Sequence, residues 1–473
     1  MDDWLSESQD EYSRGITNFS YDAVQDTGRR KSPRRTIRSE DGNLKKNDRK
    51  ILQATTRDMR RNFVMTRWAI AKHLDFVCDH TFQANTGDEA FDKTLDEFVA
   101  MASKKENFDV SGRYNLNRYA RLAEAARLVD GDMLSIRVRG GYLQAIESDK
   151  VRNMEGSTYS YVDPDNPEMF NWVHGVKINK VGKPLMYSIH SRQETQYVFE
   201  KNVSAAKVIP LGFYDRFDQV RGVSPLAAAI DTLKDLHESY DYALAKSKVA
   251  QLFAMAVTRN ADLGFQADGG VDASDANAGP RDVSFDKGPQ ILDLDEGEDA
   301  KFLSTNTPEA DTQAFWQHMS SLVLKSLGIP YSFWEENHTN FFGSRSALIL
   351  YLRSVEPWRE DQVDFRNQWL SWRLKVGQLK GEIQLPASFD IDKGPWTWTP
   401  RGIEYWNPQQ EVNADILAIE NKLRSRTEIR KERYGDDWET VVRTLAREEK
   451  VCEELGLISH EPQQEEDNND KDY

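Results

Sequence analysis

Three side chains able to bind a metal sit close together in the sequence: His73, Cys78 and His80. Imidazole nitrogen and thiolate are donors that zinc prefers, but structural zinc sites draw four of them from regularly spaced pairs. No second Cys/His pair follows, so these three are expected to be small core residues near a helix end. The acidic run Asp293-Leu294-Asp295-Glu296-Gly297-Glu298-Asp299 offers the carboxylate oxygens that calcium takes. Its glycine and terminal glutamate do not stand where an EF-hand loop requires them, which leaves a solvated turn. Asp436-Asp437 after Gly435 is a carboxylate pair of a kind common by chance, and His338 stands alone in a polar loop. There is no G-x-x-x-x-G-K-S/T phosphate loop, G-x-S-x-G, H-E-x-x-H or spaced cysteine quartet. No catalytic residue, metal or cofactor is expected, and the chain does not read as an enzyme.

The elements that could position a functional loop are clearest over 311–380. Phe315, Met319, Leu322 and Val323 fall on one face of a helical pattern. Gly328-Ile329-Pro330 stops it, because glycine takes the left-handed position after a helix and proline cannot continue the ladder. A polar loop with aromatic residues, 331–343, is long for a plain connection and so is read as functional. A second helix is expected from Ser344 through Ala347, Leu348, Tyr351 and Leu352, with a kink or break at Pro357. Two helices around a protruding loop suit a pore or a docking surface better than a catalytic cleft.

Length and composition bound the remainder. A chain of 473 residues is expected to form about two to four domains. A net charge of −16 does not suggest a free nucleic-acid-binding protein. Two cysteines, Cys78 and Cys452, fit a reducing compartment. The acidic start has no apolar signal-peptide core, and the longest apolar runs are too short for a bilayer, so a soluble, intracellularly made protein is expected. Residues 28–61 reverse the sign, with 13 Lys/Arg against 4 Asp/Glu, a balance of +9 that leaves −25 for the rest. Arg29, Arg30, Lys31, Arg34 and Arg35 around Pro33 read as an extended arm, either solvated or lying on an acidic neighbouring subunit or on phosphate.

Residues 52–82 are expected to be helical, with Met59, Phe63, Trp68 and Leu74 buried, and 88–129 to hold further helices. Strand character begins at Met133, where Leu134, Ile136 and Val138 alternate with Ser135, Arg137 and Arg139 before a Gly140-Gly141 turn. A second hairpin spans 175–190, and one or two strands follow over 198–213. Ser224-Pro225 is a helix start, and the helix runs to about residue 256 with Leu226, Ile230, Leu233, Tyr240 and Leu244 inward. Short strands are expected over 290–294 and 300–304, and a strand or turn around Trp396, Trp398 and Trp406. Helices are expected over 412–422 and 425–455, and the acidic tail 461–473 is expected to be disordered. The fold class is α+β, predominantly helical.

Several stretches, in order, resemble the lambda-type portal proteins of tailed bacteriophages. They are Tyr21-Asp22-Ala23 with Arg29-Arg30, Arg57-Asp58-Met59-Arg60-Arg61-Asn62, Asp130-Gly131-Asp132 and Leu143-Gln144-Ala145-Ile146-Glu147-Ser148-Asp149. They continue through Gly175-Val176-Lys177 with Gly182-Lys183-Pro184, Gln219-Val220-Arg221-Gly222-Val223-Ser224-Pro225, Gly328-Ile329-Pro330-Tyr331, Ser344-Arg345-Ser346-Ala347 and Glu453-Glu454-Leu455-Gly456-Leu457. Each motif is weak alone; the ordered set covers about 20–460. The chain departs from the family in a long polar extension before Tyr21 and in Trp406-Asn407-Pro408, where the family usually has Asp-Pro.

The resemblance implies a portal fold with wing, stem, clip and crown regions, assembled as a ring, typically of twelve subunits. The ring would stand at one capsid vertex, made in the host cytoplasm and carried in the virion. It would pass double-stranded DNA driven by the terminase large subunit, retain it, join head to tail and release it. Partners would be further copies, duplex DNA, terminase, the major capsid protein and a head-tail adaptor, with no membrane. Mapped on this chain, 1–62 is an extended arm, 63–223 the wing, 224–256 and 309–327 the stem helices and 257–308 the clip. Residues 328–343 are the tunnel loop, 344–380 a kinked channel helix and 381–460 a C-terminal wing/crown region.

A DNA conduit must touch phosphate without gripping it, because each neutralising Lys/Arg contact tightens binding. Asn337, His338, Thr339 and Asn340 would supply weak polar contacts. Arg345 and Arg353 are assigned subunit or phosphate contacts, against the alternatives of solvation or pairing within the chain. The competing functions are a terminase-like nucleic-acid enzyme, already disfavoured by the missing phosphate loop, and a head scaffold or adaptor without a channel.

Overall fold

The strand Asp132–Val138 pairs antiparallel on both edges, with Tyr142–Glu147 on one side and Val208–Gly212 on the other. Because side chains alternate across a strand, it supplies two cores. Met133 packs with Leu143, Ile209 and Leu211 in one, and Leu134 and Ile136 with Ile146 and Val208 in the other. The polar positions of the expected alternation are not all solvated. Ser135 is buried and lies 2.8 Å from the Tyr119 hydroxyl. The hairpin turn falls where predicted, with Gly140 and Gly141 both at positive φ. The structure is a computed structural model and describes residues 39–44, 46–153, 161–162, 171–194, 196–252, 255–259, 298–302, 310–335, 341–402, 407–436 and 438–456.

The chain divides into two units, residues 1–227 with 352–473, and residues 228–351. In the first, the Met133 face is covered by the helices Glu89–Ala102 and Leu116–Asp130 and by the later part of the long helix Phe341–Lys380. Asp88 and Asn115 cap the first two through Ala90, Phe91 and Arg118 amides. Phe108 packs against Tyr119 and Trp369, and Trp369, Leu370 and Leu374 are fully buried. The Leu134 face is closed by a five-stranded antiparallel sheet in sequence order, Tyr161–Val162 to Gln196–Ser204. It contains the predicted hairpin, with Val176 opposite Tyr187 and Asn179 Oδ1 accepting from the Val181 and Lys183 amides at the turn. His80–Ala84 pairs with Trp396–Pro400. The helix predicted over 52–82 therefore ends at Val77, and it breaks at Phe63 into Lys46–Asn62 and Val64–Val77.

Where the sheet meets these helices the interior is ionic. Asp132 accepts from Arg221 Nε and Nη2 at 2.7 and 2.8 Å, from Arg49 at 3.3 Å and from the Gly222 amide at 2.9 Å. Ser148 Oγ accepts from Arg49 and Arg221, both at 2.9 Å, and donates to Asp132 at 2.5 Å. The two guanidinium charges hold the Asp132 carboxyl well below the usual carboxylate range, against its own burial. Beside it, Arg57 bridges Asp130 at 2.6 Å and Asp149 at 2.7 Å, and Arg192 and Tyr197 also reach Asp149. The geometry needs two glycines. A Cβ on Gly222 would stand 2.1 Å from the Gly131 carbonyl oxygen, and Gly131 has φ +94°.

Over residues 39–62 this network corrects the reading of 1–62 as an extended arm; Arg29, Arg30, Lys31, Arg34 and Arg35 lie outside the described residues. Glu40–Asn43 and Lys46–Asn62 are helices. Arg49, Gln53, Thr56 and Met59 form the buried face of the second. Arg49 and Arg57 bind carboxylates of their own chain. The helix expected from residue 52 starts earlier, at Lys46, because the inward residues of its first turns are polar and leave no apolar pattern.

The second unit pairs Ile230–Leu252 with Ala310–Lys325: Trp316 Nε1 donates to Ser239 Oγ at 2.8 Å, and its ring lies 4.5 Å from Tyr240. The first helix opens with a tight turn, Pro225–Ala229, and is over by Leu252, because Met255–Arg259 pairs as a strand with Glu298–Phe302. Residues 290–294, Trp406 and the 461–473 tail lie outside the described residues.

Removing one partner of a buried charge strands the other. Arg221→Met should therefore cost about 3–5 kcal/mol in denaturant unfolding. Arg192→Ala, whose side chain is 40% exposed, should cost under about 1 kcal/mol in the same titration. Equal losses would show that the Asp132 centre is not special.

Candidate functional site

The stop at 328 forms as the sequence requires. Gly328 is left-handed (φ +68°), its amide reaches Lys325 O at 3.1 Å, and Ile329 N reaches Leu324 O at 3.0 Å. The next residues differ from the expected loop. Tyr331–Glu335 is a short helix, and Phe333 lies edge-on to Tyr351 at 5.5 Å. A second helix begins at Phe341, three residues before the expected Ser344, and runs as one element to Lys380. Pro357 does not break it, although it removes the N–H that would close on the Arg353 carbonyl. Packing explains the continuity. Trp358 lies against His73 at 4.3 Å and Phe213 at 5.5 Å, so the turn around the proline is held from outside.

Asn337, His338, Thr339 and Asn340 lie outside the described residues, so no geometry attaches to them. Arg345 and Arg353 are on the long helix, Arg345 half-buried and Arg353 exposed. The structure does not bring these two together into a cleft. Instead, the 228–351 unit leaves apolar side chains uncovered: Tyr242 is 73% exposed and Leu350 68%, with Leu244, Phe315, Leu322 and Ile349 each near half. Tyr240 and Leu244 are expected inward, and Phe315 and Leu322 on one helix face; among the described residues part of that apolar face is uncovered.

The His73, Cys78 and His80 group folds as core, not as ligands. His73 is fully buried with Nε2 3.0 Å from Glu124 Oε1, and His80 Nδ1 faces the Cys78 carbonyl at 3.3 Å. Burial pushes His73 down and keeps it neutral. Burial alone would raise Glu124, but Arg127 beside it, with hydrogen bonds from His73 and Gln362, holds it at about 2. Arg127 also binds Asp361 at 2.6 Å, and Arg366 donates to the Cys78 carbonyl at 2.5 Å. Burial drives the Cys78 thiol well up, which makes it inert as a nucleophile. Asp436 is bound by Arg430, while Asp437 lies outside the described residues. Among the described residues no three His, Cys, Asp or Glu side chains gather as a metal site, and no helix is long and apolar enough to cross a membrane.

A platform locked by buried ion pairs, with an inserted helical unit whose apolar face stays open, has the form of an assembly subunit. Residues 27–359 match the phage portal protein, lambda family, and the chain belongs to that family. The structure is similar to a chain in the virion of the native gene transfer agent (GTA) particle, at 14% identity and a TM-score of 0.45, covering 81% of this chain and 97% of that one. It is also similar to chains in the neck of the empty GTA particle computed with C6 symmetry (15%, 0.46, covering 79% and 92%) and of the native particle computed with C12 symmetry (15%, 0.44, covering 80% and 92%). No curated protein matches the sequence.

The buried histidines give a pH dependence with a definite sign. Burial lowers His80 from 6.5 to about 3 and His174 from 6.5 to about 4. As pH falls below 6.5 the unfolded chain takes up these protons first. Stability present above pH 6.5 is then lost down to the folded values, at about 1.4 kcal/mol per pH unit for each histidine. Denaturant midpoints measured from pH 7.5 to 4.5 should fall steadily below 6.5, and His80→Gln should flatten the slope. A flat wild-type profile would contradict the burial of neutral imidazoles.

Proposed function

We propose that this chain works as a portal subunit, closing with further copies, typically twelve, into a ring at one capsid vertex whose central opening passes duplex DNA. The observation that carries the reading, beyond family membership, is the uncovered apolar face of the 228–351 unit. Exposed aromatic and aliphatic side chains at this density are covered in the working state, and a head-to-tail ring covers them by setting one face of a subunit against a different face of the next. The residues assigned to stem, clip and tunnel loop fall in or beside that single unit, and those assigned to the wing fall in the first. Terminase, the major capsid protein and a head-tail adaptor are the partners this role requires, in a virion assembled from subunits made in the host cytoplasm. Packaging, retention and ejection are passages through the same opening.

Arg345 and Arg353 are the proposed subunit or phosphate contacts, and Asn337, His338, Thr339 and Asn340 the proposed weak polar contacts to DNA. Neither arginine alone would grip DNA.

Negative-stain imaging and native mass should show closed rings with a central hole, and rings one or two subunits from twelve serve the proposal equally well. Tyr242→Asp with Leu350→Asp should leave a folded monomer with unchanged circular dichroism. A persistent wild-type monomer across salt and concentration sinks the reading. Arg345→Glu with Arg353→Glu should cut ring yield or DNA packaging by about tenfold. Unchanged yields in both assays would remove these residues from the site.

A further inference from the structure

Outside the proposed ring contacts, the first unit carries a groove of about 780 Å³ with seven arginines in its lining. In a chain of net charge −16 that is a strong local reversal. Three of the seven are spoken for: Arg57 by Asp130 and Asp149, Arg192 by Asp149 and Glu147, and Arg121 by Asp75. Arg61 stands 3.7 Å from Asp58, a loose exposed pair. Arg60, Arg67 and Arg118 make no ion pair within 4 Å among the described residues, although all three line the groove. Burial and the like charge of Arg67 hold Arg60 below the ordinary guanidinium range, despite Asp130. Asp130 and Glu147 also line the groove, but Arg57 and Arg192 already bind them, so the like charges of Arg60 and Arg67 remain a cost that a further anion would relieve.

Ile70, Leu74 and Val129 line the groove but are themselves only 2%, 7% and 3% exposed, so guanidinium groups dominate its lining. An acidic peptide fits such a surface, because its carboxylates match the forked guanidinium donors. This chain contains that peptide: Asp2-Asp3-Trp4-Leu5-Ser6-Glu7-Ser8-Gln9-Asp10-Glu11-Tyr12 carries five carboxylates and no basic residue. It also reaches. The described chain starts at Ser39, just before the Lys46–Asn62 helix whose last turns carry Arg57, Arg60 and Arg61. A 17-residue helix is about 25 Å long. The 27 residues from Tyr12 to Ser39 can reach at most about 90 Å fully extended, well beyond that length. Tethering makes the encounter intramolecular and raises its effective concentration.

We propose that the acidic segment 2–12 docks in this arginine groove. The segment comes from the same chain or an adjacent copy, and in either case masks a basic surface that would otherwise attract DNA.

The test uses the full chain with a photo-crosslinking amino acid at position 4 in place of Trp4. Crosslinks mapped by mass spectrometry should fall on 57–74 and 118–129. Their yield should drop about tenfold in Arg60→Glu/Arg67→Glu/Arg118→Glu, since three exposed ion pairs together are worth about that factor. The same drop should follow Asp2→Asn/Asp3→Asn/Glu7→Gln/Asp10→Asn/Glu11→Gln, which alters only the segment and leaves the fold untouched. With those tail carboxylates removed, a fluorescent duplex oligonucleotide should bind the chain more tightly than it binds wild type. Crosslinks landing elsewhere, or surviving both sets of substitutions, would overturn the proposal. So would a wild-type chain whose groove crosslinks are displaced by stoichiometric DNA at physiological salt, which would make the groove a nucleic-acid site.

Discussion

Asp132 held between two arginines is the constraint on which the first unit depends. A carboxylate and two guanidinium groups leave water together only if almost every donor and acceptor finds a partner, and here they do: Arg221 alone reaches Asp132, Ser148, and the Val151 and His174 carbonyls. Such a centre adds little net stability compared with a hydrocarbon core, but it punishes any other arrangement, because a misplaced strand would leave a bare charge inside. It therefore fixes register among segments far apart in sequence: the Lys46–Asn62 helix, the Asp132–Val138 strand, the turn at Ser148 and the loop at Arg221.

That loop also leads the chain out of the first unit, since Arg221 to Ser224 precede the division at residue 228. The chain returns at residue 352 along the long helix, and there a second buried group receives it: Asp361 on Arg127, Gln362 on Glu124, Arg366 on the Cys78 carbonyl. Both covalent connections to the helical unit are thus anchored by charges within the first. Packed, ion-paired anchors of this kind move as a block or not at all, which is what a subunit needs if force or motion in one part must be borne by the shell around it.

Much of this was legible in the sequence, though not for what it does. Arg57, Asp130, Asp132, Asp149 and Arg221 all lie in stretches that resemble the portal family, and the fold brings those stretches to one place. No pattern of spacing shows that convergence, because burying charge follows no period. For the same reason the first turns of the Lys46–Asn62 helix were hidden, although its second half was expected from residue 52: inward Arg49 and Gln53 are residues that periodicity assigns to solvent. Glycine and proline signals held where the backbone itself decides, at Gly140-Gly141 and at Gly328. At Pro357 the helix runs on unbroken, with tertiary packing by Trp358 offsetting one lost hydrogen bond. The outward Tyr242 and Leu350 show the remaining gap. A sequence marks a face as apolar but does not say whether its own chain or another copy covers it.

The distribution of cations bears on how such a subunit could handle DNA. By sequence, residues 228–351 carry nine Lys/Arg against nineteen Asp/Glu, a balance of −10. The first unit keeps most of its buried arginines on carboxylates, with Arg366 on the Cys78 carbonyl. A ring built from this chain would then present duplex DNA with few committed cations along the helical unit. Since binding strengthens with each phosphate neutralised, at a slope of about 0.9 in log salt per contact, that excess of carboxylates would keep a polyanion from sticking as it slides.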